Sequence, residues 1–246
     1  MNRGCAVGEG KGCMNYLKEL LFPRRCAVCD EIVKFGKNKI CAGCEDKFVP
    51  ITEPWCMKCG KELNSCEKEY CMDCSRGSHI FTRGRAVFAY NSVAESLYRF
   101  KYQGRQEYAE YYGECMSKYL NDETEMQRAD AIVPVPLHYK RKRHRGYNQA
   151  ELLAEAIGRA WNIPVKSNLV VRCKNTMPLK QFNPSQRQNN LKKAFKLAQN
   201  DVKLKTIIIV DDIYTTGSTI DSVARVFLQA GVHKVFFVTL AVGKGF

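Results

Sequence analysis

No stretch of this sequence stays apolar long enough to cross a bilayer. The longest, Val235 to Val242, spans eight residues and contains Thr239, against the roughly 18 that a membrane helix requires. No secretory leader is recognisable either, because the apolar stretch Tyr16 to Phe22 is short and carries Lys18 and Glu19, where a signal peptide has an uninterrupted apolar centre. The expectation is a cytoplasmic protein without membrane insertion. Acidic residues are scarce: 25 Asp and Glu stand against 39 Lys and Arg, a net charge of +14, which points to polyanionic partners or substrates. Extensive disorder is excluded by a hydrophobic content of 45% with 11% aromatics, enough apolar surface to offset the entropy of folding. The 246 residues leave room for one or two domains.

Cysteine, by contrast, is abundant. Eight of the 13 cysteines form four CxxC pairs, at Cys26 and Cys29, Cys41 and Cys44, Cys56 and Cys59, and Cys71 and Cys74. Eleven residues separate the pairs within each half, and the second half repeats the first thirty residues later. A CxxC turn aims two sulfurs at one centre, and two such turns complete a tetrahedral thiolate set for Zn²⁺. Thiols in a cytosolic setting favour metal over disulfides, so two structural zinc sites are expected. The equal spacing favours sequential pairing, although a cross-braced arrangement would use the same cysteines. Cys66 is left over and reads as a loop thiol, though it is close enough to replace a neighbouring ligand. A segment of about 50 residues has little core of its own, so zinc would supply much of its folding free energy.

Along the chain, residues 1–13 are glycine-rich and aperiodic and read as a disordered leader. Residues 14–24 read as a short helix, with Tyr16, Leu17, Leu20 and Leu21 at helical spacing and Pro23 ending it. Residues 25–80 form the zinc module. From 81 to 246 the pattern alternates between strands and helices. Strands are expected at 85–90, 131–135, 164–171, 206–210 and 234–241. Helices are expected through Val93, Leu97 and Phe100, at 107–120, at 147–161 and at 218–230, the last capped by Gly231. Residues 172–190 read as a polar loop. Continuous apolar strands alternating with helices imply an α/β fold whose parallel sheet is covered on both faces.

The segment Ile207-Ile208-Ile209-Val210-Asp211-Asp212-Ile213-Tyr214-Thr215-Thr216-Gly217-Ser218-Thr219 carries the chemistry. A buried strand leads into two acids, and a turn of hydroxyls and glycine opens a helix. Ligands of open α/β sheets bind at the carboxyl ends of strands, and a helix N-terminus offers amides to a phosphate. Neighbouring carboxylates suit ribose hydroxyls or Mg²⁺. The combination describes a cradle for a sugar phosphate. It is not the nucleoside triphosphate P-loop, because no Gly-Lys-Ser/Thr follows at the required spacing.

This segment resembles the phosphoribosyl pyrophosphate (PRPP) motif of type I phosphoribosyltransferases. The resemblance implies that Asp211 and Asp212 hold the ribose as the catalytic acids. Thr215, Thr216, Gly217, Ser218 and Thr219 would hold the 5′-phosphate, and Mg²⁺ would accompany PRPP. The cysteine pairs, Val133-Pro134-Val135-Pro136, Arg145-Gly146-Tyr147-Asn148-Gln149 and the later Gln181, Arg187, Asn190 and Ala194-Phe195 together resemble the ComF family of competence and GntX-like proteins. That resemblance covers the chain from Met14 onward. It implies an N-terminal double zinc ribbon, a type I phosphoribosyltransferase-like domain, and a role in natural transformation, with single-stranded DNA and a ComFA-type helicase ATPase as partners. It leaves open whether the protein is a PRPP- and DNA-binding factor or an active pentosyl transferase on an unidentified nucleobase-like acceptor.

Residues 138–146 read as a basic loop at the position of a pyrophosphate loop. Backbone amides near Val135, Pro136 and Leu137 would face pyrophosphate, with Arg143 and Arg145 supplying charge. The same cations would suit a nucleic-acid backbone, with bases stacking on Tyr139 or Tyr147. Nothing marks His138 or His144 as a base. Lys180 and Arg187 are placed as a lid over the ligand or as plain surface residues.

Overall fold

The computed structural model describes residues 23–33, 38–77, 79–173, 194–198 and 203–243. The expected leader, nearly all of the helix at 14–24, and Lys180, Gln181, Arg187 and Asn190 lie outside the described residues.

Six strands are described: β1 (Arg83–Ala89), β2 (Ala131–Pro134), β3 (Val170–Arg172), β4 (Phe195–Leu197), β5 (Thr206–Tyr214) and β6 (Lys234–Val242). The main sheet has the order β1-β6-β5-β2, and all its pairs are parallel. Six α-helices accompany them: α1 (Met72–Arg76), α2 (Tyr90–Tyr102), α3 (Tyr108–Tyr119), α4 (Tyr139–Arg145), α5 (Gln149–Trp161) and α6 (Ser218–Gln229). Ile207 to Val210 and Val235 to Val238 are wholly buried, as a parallel sheet with two covered faces requires. On one face Phe100, Tyr112, Leu153 and Ile157, from α2, α3 and α5, pack with Ile208 and Phe236; on the other Val223 and Phe227 of α6 pack with Ile209 and Phe237.

Two strands differ from the sequence expectation. β5 runs four residues beyond Val210, because Asp211 pairs with Thr239, Ile213 with Ala241 and Tyr214 with Val242 in the same register. Both acids therefore lie within the strand, and Asp211 is a ladder residue. The start of the segment 164–171 makes only an isolated parallel bridge, Val165 with Ile132, and its end, Val170 and Val171, belongs to β3; a proline at 164 has no N–H to begin a ladder. The chain then leaves the sheet, and β3 pairs antiparallel with β4 instead.

The cysteine-rich module lies against the β1 edge and the helices beside it. Ile51 N–H donates to Val87 O at 2.8 Å, and Gly84 N–H donates to Lys58 O at 2.9 Å. These bonds cover an edge that would otherwise recruit another chain. Gly60 has φ +71°, and a Cβ there would lie 2.8 Å from Arg85 Cα, so only glycine allows this close approach. Trp55 packs beneath Arg85, whose guanidinium is 3.5 Å from the ring centroid. Arg85 in turn pairs with buried Glu123 at 3.1 Å, and Arg83 reaches the same carboxylate at 2.7 Å. Farther along, Asp30 takes a bidentate pair from Arg105 at 2.7 and 3.0 Å and a hydrogen bond from Tyr108. Against the cost of burial, these partners hold its carboxyl below the usual range.

Candidate functional site

β5 delivers the site. Past Tyr214 the chain turns through exposed Thr215, half-buried Thr216 and buried Gly217 into α6. Gly217 adopts φ +75°, and a Cβ there would lie 2.7 Å from both His79 Cε1 and the Tyr214 hydroxyl. Both the backbone and the wall behind it therefore demand glycine. Thr216 Oγ1 and Ser218 Oγ are 3.0 Å apart, and the first-turn amides ahead of Asp221 have no helical carbonyl to receive them. Asp221 N–H donates to Gly217 O at 2.8 Å. A carboxylate in this first turn would compete with an anionic ligand, but Asp221 is turned toward His79 Nδ1 at 2.7 Å and Ile80 N–H at 3.0 Å. The His79 ring stacks on Phe81 at 4.9 Å, and its Nε2 is 3.4 Å from the Tyr214 hydroxyl. His79 and Asp221 thus form the rear wall of the turn, a role that no motif in the sequence signals.

The acids are unequal. Asp212 Oδ1 is 2.9 Å from Lys101 Nζ, with both side chains about five-sixths buried, at 15% and 16% exposure. Asp211 Oδ1 accepts the Asp212 backbone N–H at 2.8 Å. Burial, followed by the charge of Asp212, raises the Asp211 carboxyl to about 7, while the Asp212 amide, Lys101 and Arg172 pull the other way. Arg172 belongs to β3 and has its own pKa lowered to about 10, first by burial and then by Arg141, with Asp211 opposing. Lys101 and Arg172 come from distant elements, and neither was legible as a site residue.

The basic stretch is a helix, not a loop. His138 caps α4, its Nδ1 accepting Lys140 N–H at 3.4 Å, and Gly146 closes it at φ +82°. Burial, then Arg172, Lys140 and Arg141, lower the His138 pKa, and its capping bond occupies the nitrogen that a base would use. Arg145 donates to Gln149 Oε1 at 3.0 Å and to the Tyr102 hydroxyl at 3.1 Å, with its guanidinium 4.7 Å from the Tyr102 ring centroid. Arg143 is exposed, and Arg141 is the cation electrostatically linked to Arg172. The Val135 amide is not open to a ligand, because it donates to Val210 O at 2.9 Å; Pro136 has no amide proton to offer. Tyr147 is buried and donates to Phe100 O, so it is no stacking platform, whereas Tyr139 is 67% exposed. Asn148 donates to Val135 O at 3.1 Å, while its Oδ1 and Gln149 Nε2 are buried without a protein partner. Such atoms require water or ligand to satisfy them.

The eight paired cysteines gather in two groups, Cys26, Cys29, Cys41, Cys44 and Cys56, Cys59, Cys71, Cys74, with all ligand atoms in each within 4.8 Å of one another. Pairing is therefore sequential. Tetrahedral Zn–S bonds of about 2.3 Å place sulfurs roughly 3.8 Å apart; Cys29 and Cys41 are at 3.5 Å and Cys59 and Cys71 at 3.7 Å. Both groups fit zinc. Cys66 is exposed and belongs to neither. The acid pair does not fit a directly bound divalent cation. One carboxylate already holds an ammonium, the other accepts a backbone amide, and the flanking charges are cationic.

The double zinc ribbon family matches residues 17–75, and the phosphoribosyl transferase domain family matches residues 152–245. Competence protein F of Haemophilus influenzae is 30% identical over 220 residues, covering 87% of this chain and 95% of that protein. Competence protein ComFC of Bacillus subtilis is 31% identical over 206 residues, 79% of this chain and 80% of its own length. DNA utilization protein YhgH of Escherichia coli is 29% identical over 224 residues, with coverages of 88% and 96%. No described helix is long and apolar enough to cross a membrane.

Proposed function

The chain belongs to the ComF family, and from that premise we propose that it binds PRPP, or a related sugar phosphate, and engages single-stranded DNA during DNA uptake. One observation carries the sugar-phosphate reading: a parallel strand ends beside an acid pair in a Gly217 turn whose hydroxyls and first-turn amides converge at a helix N-terminus. Thr215 to Thr219 would hold the 5′-phosphate, and Asp211 and Asp212 would accept ribose hydroxyls. Mg²⁺ accompanying PRPP would ride on the ligand's own pyrophosphate. Arg141, Arg143 and Arg145 on α4 would supply cations suited to pyrophosphate or to the phosphates of a strand; Arg141 is electrostatically linked to Arg172, which acts on Asp211. The related competence and DNA utilization proteins support the DNA reading by name. The exposed Met57, Tyr70 and Met72 of the second ribbon offer a surface for the ComFA-type helicase.

Pentosyl transfer is the second reading, favoured by the two acids at the carboxyl end of β5. It would appear as pyrophosphate release dependent on an added acceptor. Calorimetric titration of PRPP into the zinc-loaded chain tests the primary reading, with Gly217→Ala expected to abolish the heat. A wild-type chain that gives no heat and no change in melting temperature with PRPP would sink it. For DNA, replacing Arg141, Arg143 and Arg145 by Ala is expected to weaken binding and flatten its salt dependence by about one log unit per lost phosphate contact.

A further inference from the structure

The acid pair is accompanied by a cation of its own. Lys101 sits in the last turn of α2, and its ammonium rests 2.9 Å from Asp212 Oδ1. Next to it, Tyr102 is clasped by Arg145, which is fastened to Gln149, so the end of α2 is braced from α4 and α5. Arg172 acts electrostatically on Asp211, and Arg141 acts on Arg172. An ammonium has three N–H donors; the bond to Asp212 occupies one of them and leaves others for oxygens of a bound ligand. Moving Lys101 away would leave Asp212 without its cation, while the charge of Asp212 already acts unfavourably on the neighbouring Asp211 carboxylate.

We propose that Lys101 is the resident counter-ion of the sugar-phosphate site, taking at the acid pair the place of a divalent cation, so that a phosphoribosyl ligand binds without Mg²⁺. The inference rests on the sugar-phosphate reading above and adds the residue that sets its metal requirement. A fixed charge aimed at the ligand is preorganised and needs no recruitment from solution.

The test is calorimetric titration of PRPP into the zinc-loaded full chain, in magnesium-free buffer and again with millimolar Mg²⁺. No chelator is used, so that the ribbons keep their zinc. Wild-type affinity is expected to change less than about threefold between the two. Lys101→Met is expected to lose about tenfold or more without Mg²⁺, the scale of one charge-assisted hydrogen bond, and to recover when Mg²⁺ is added. Lys101→Arg should behave as wild type. Wild-type binding that collapses without Mg²⁺ overturns the inference even if Lys101→Met does not fold, and leaves the sugar-phosphate reading intact. So does a Lys101→Met chain with wild-type affinity in both buffers. Absence of PRPP binding by the wild type in either buffer overturns the reading itself, and this inference with it.

Discussion

Replacing Asp211 by Asn should make the fold more stable at pH 8 and leave it unchanged near pH 4. The native carboxyl is raised to about 7 from an ordinary 3.8, first by burial and then by Asp212. In the unfolded chain the same group ionises near its ordinary value. Below that value both states are neutral and Asp211 makes no pH-dependent contribution. Between about 4 and 7 the folded state binds a proton that the unfolded state has released, so stability falls as pH rises, and above 7 the whole penalty is present. A shift of about three units corresponds to roughly 4 kcal/mol at 1.36 kcal/mol per unit. Allowing for partial solvent contact, about 2–4 kcal/mol is expected. Asn at this position keeps an oxygen for the Asp212 amide, so the hydrogen bond survives. The measurement is urea unfolding of both proteins with zinc present, between pH 4 and 8, compared as a difference so that contributions common to both cancel. A difference that stays flat across this range, or has the opposite sign, would refute the reasoning. Asp212→Asn is the contrasting control: it strips Lys101 of its partner and should destabilise the fold.

Gly217→Ala should cost about 1–3 kcal/mol for the left-handed backbone alone, with a further loss from the clash with His79 and Tyr214, read as a lowered urea midpoint. Glu123→Ala leaves Arg83 and Arg85 without their shared carboxylate beneath the second ribbon and should cost about 3–5 kcal/mol, read the same way. Cys59→Ser should reduce bound zinc from two equivalents to one in native mass spectrometry. It should lower the melting temperature more than Cys41→Ser, because Cys59 is fully buried within the core of the second ribbon and sheet, whereas Cys41 is partly exposed.

The sequence displayed whatever depends on local spacing. Cysteine pairs repeating after thirty residues announced two metal groups, and hydrophobic periodicity announced the alternating strands and helices. What it hid depends on neighbours distant in the chain. β5 does not stop at its acids, because β6 continues beside them and supplies ladder partners, which two aspartates in a row do not suggest. The run from Tyr139 to Arg145 looked like a solvated loop since its cations repel. It is helical because His138 and Gly146 cap it, and because Lys142 with Glu151 and Arg145 with Gln149 tie it to α5. Tyr147 looked available for stacking, yet Phe100 captures its hydroxyl. Lys101 and Arg172 carry no motif, and only the fold brings them to Asp212 and Asp211.

His79 has one more consequence. It follows the second ribbon in the chain, yet it is seated between Tyr214 and Asp221, with Lys61 of that ribbon over the Tyr214 ring at 5.8 Å. The shape of the turn is thus inherited in part from a metal-built neighbour. A chelator added to remove magnesium would also unseat this backing, and the resulting silence in a binding assay would report a collapsed scaffold, not an unmet need at the acids.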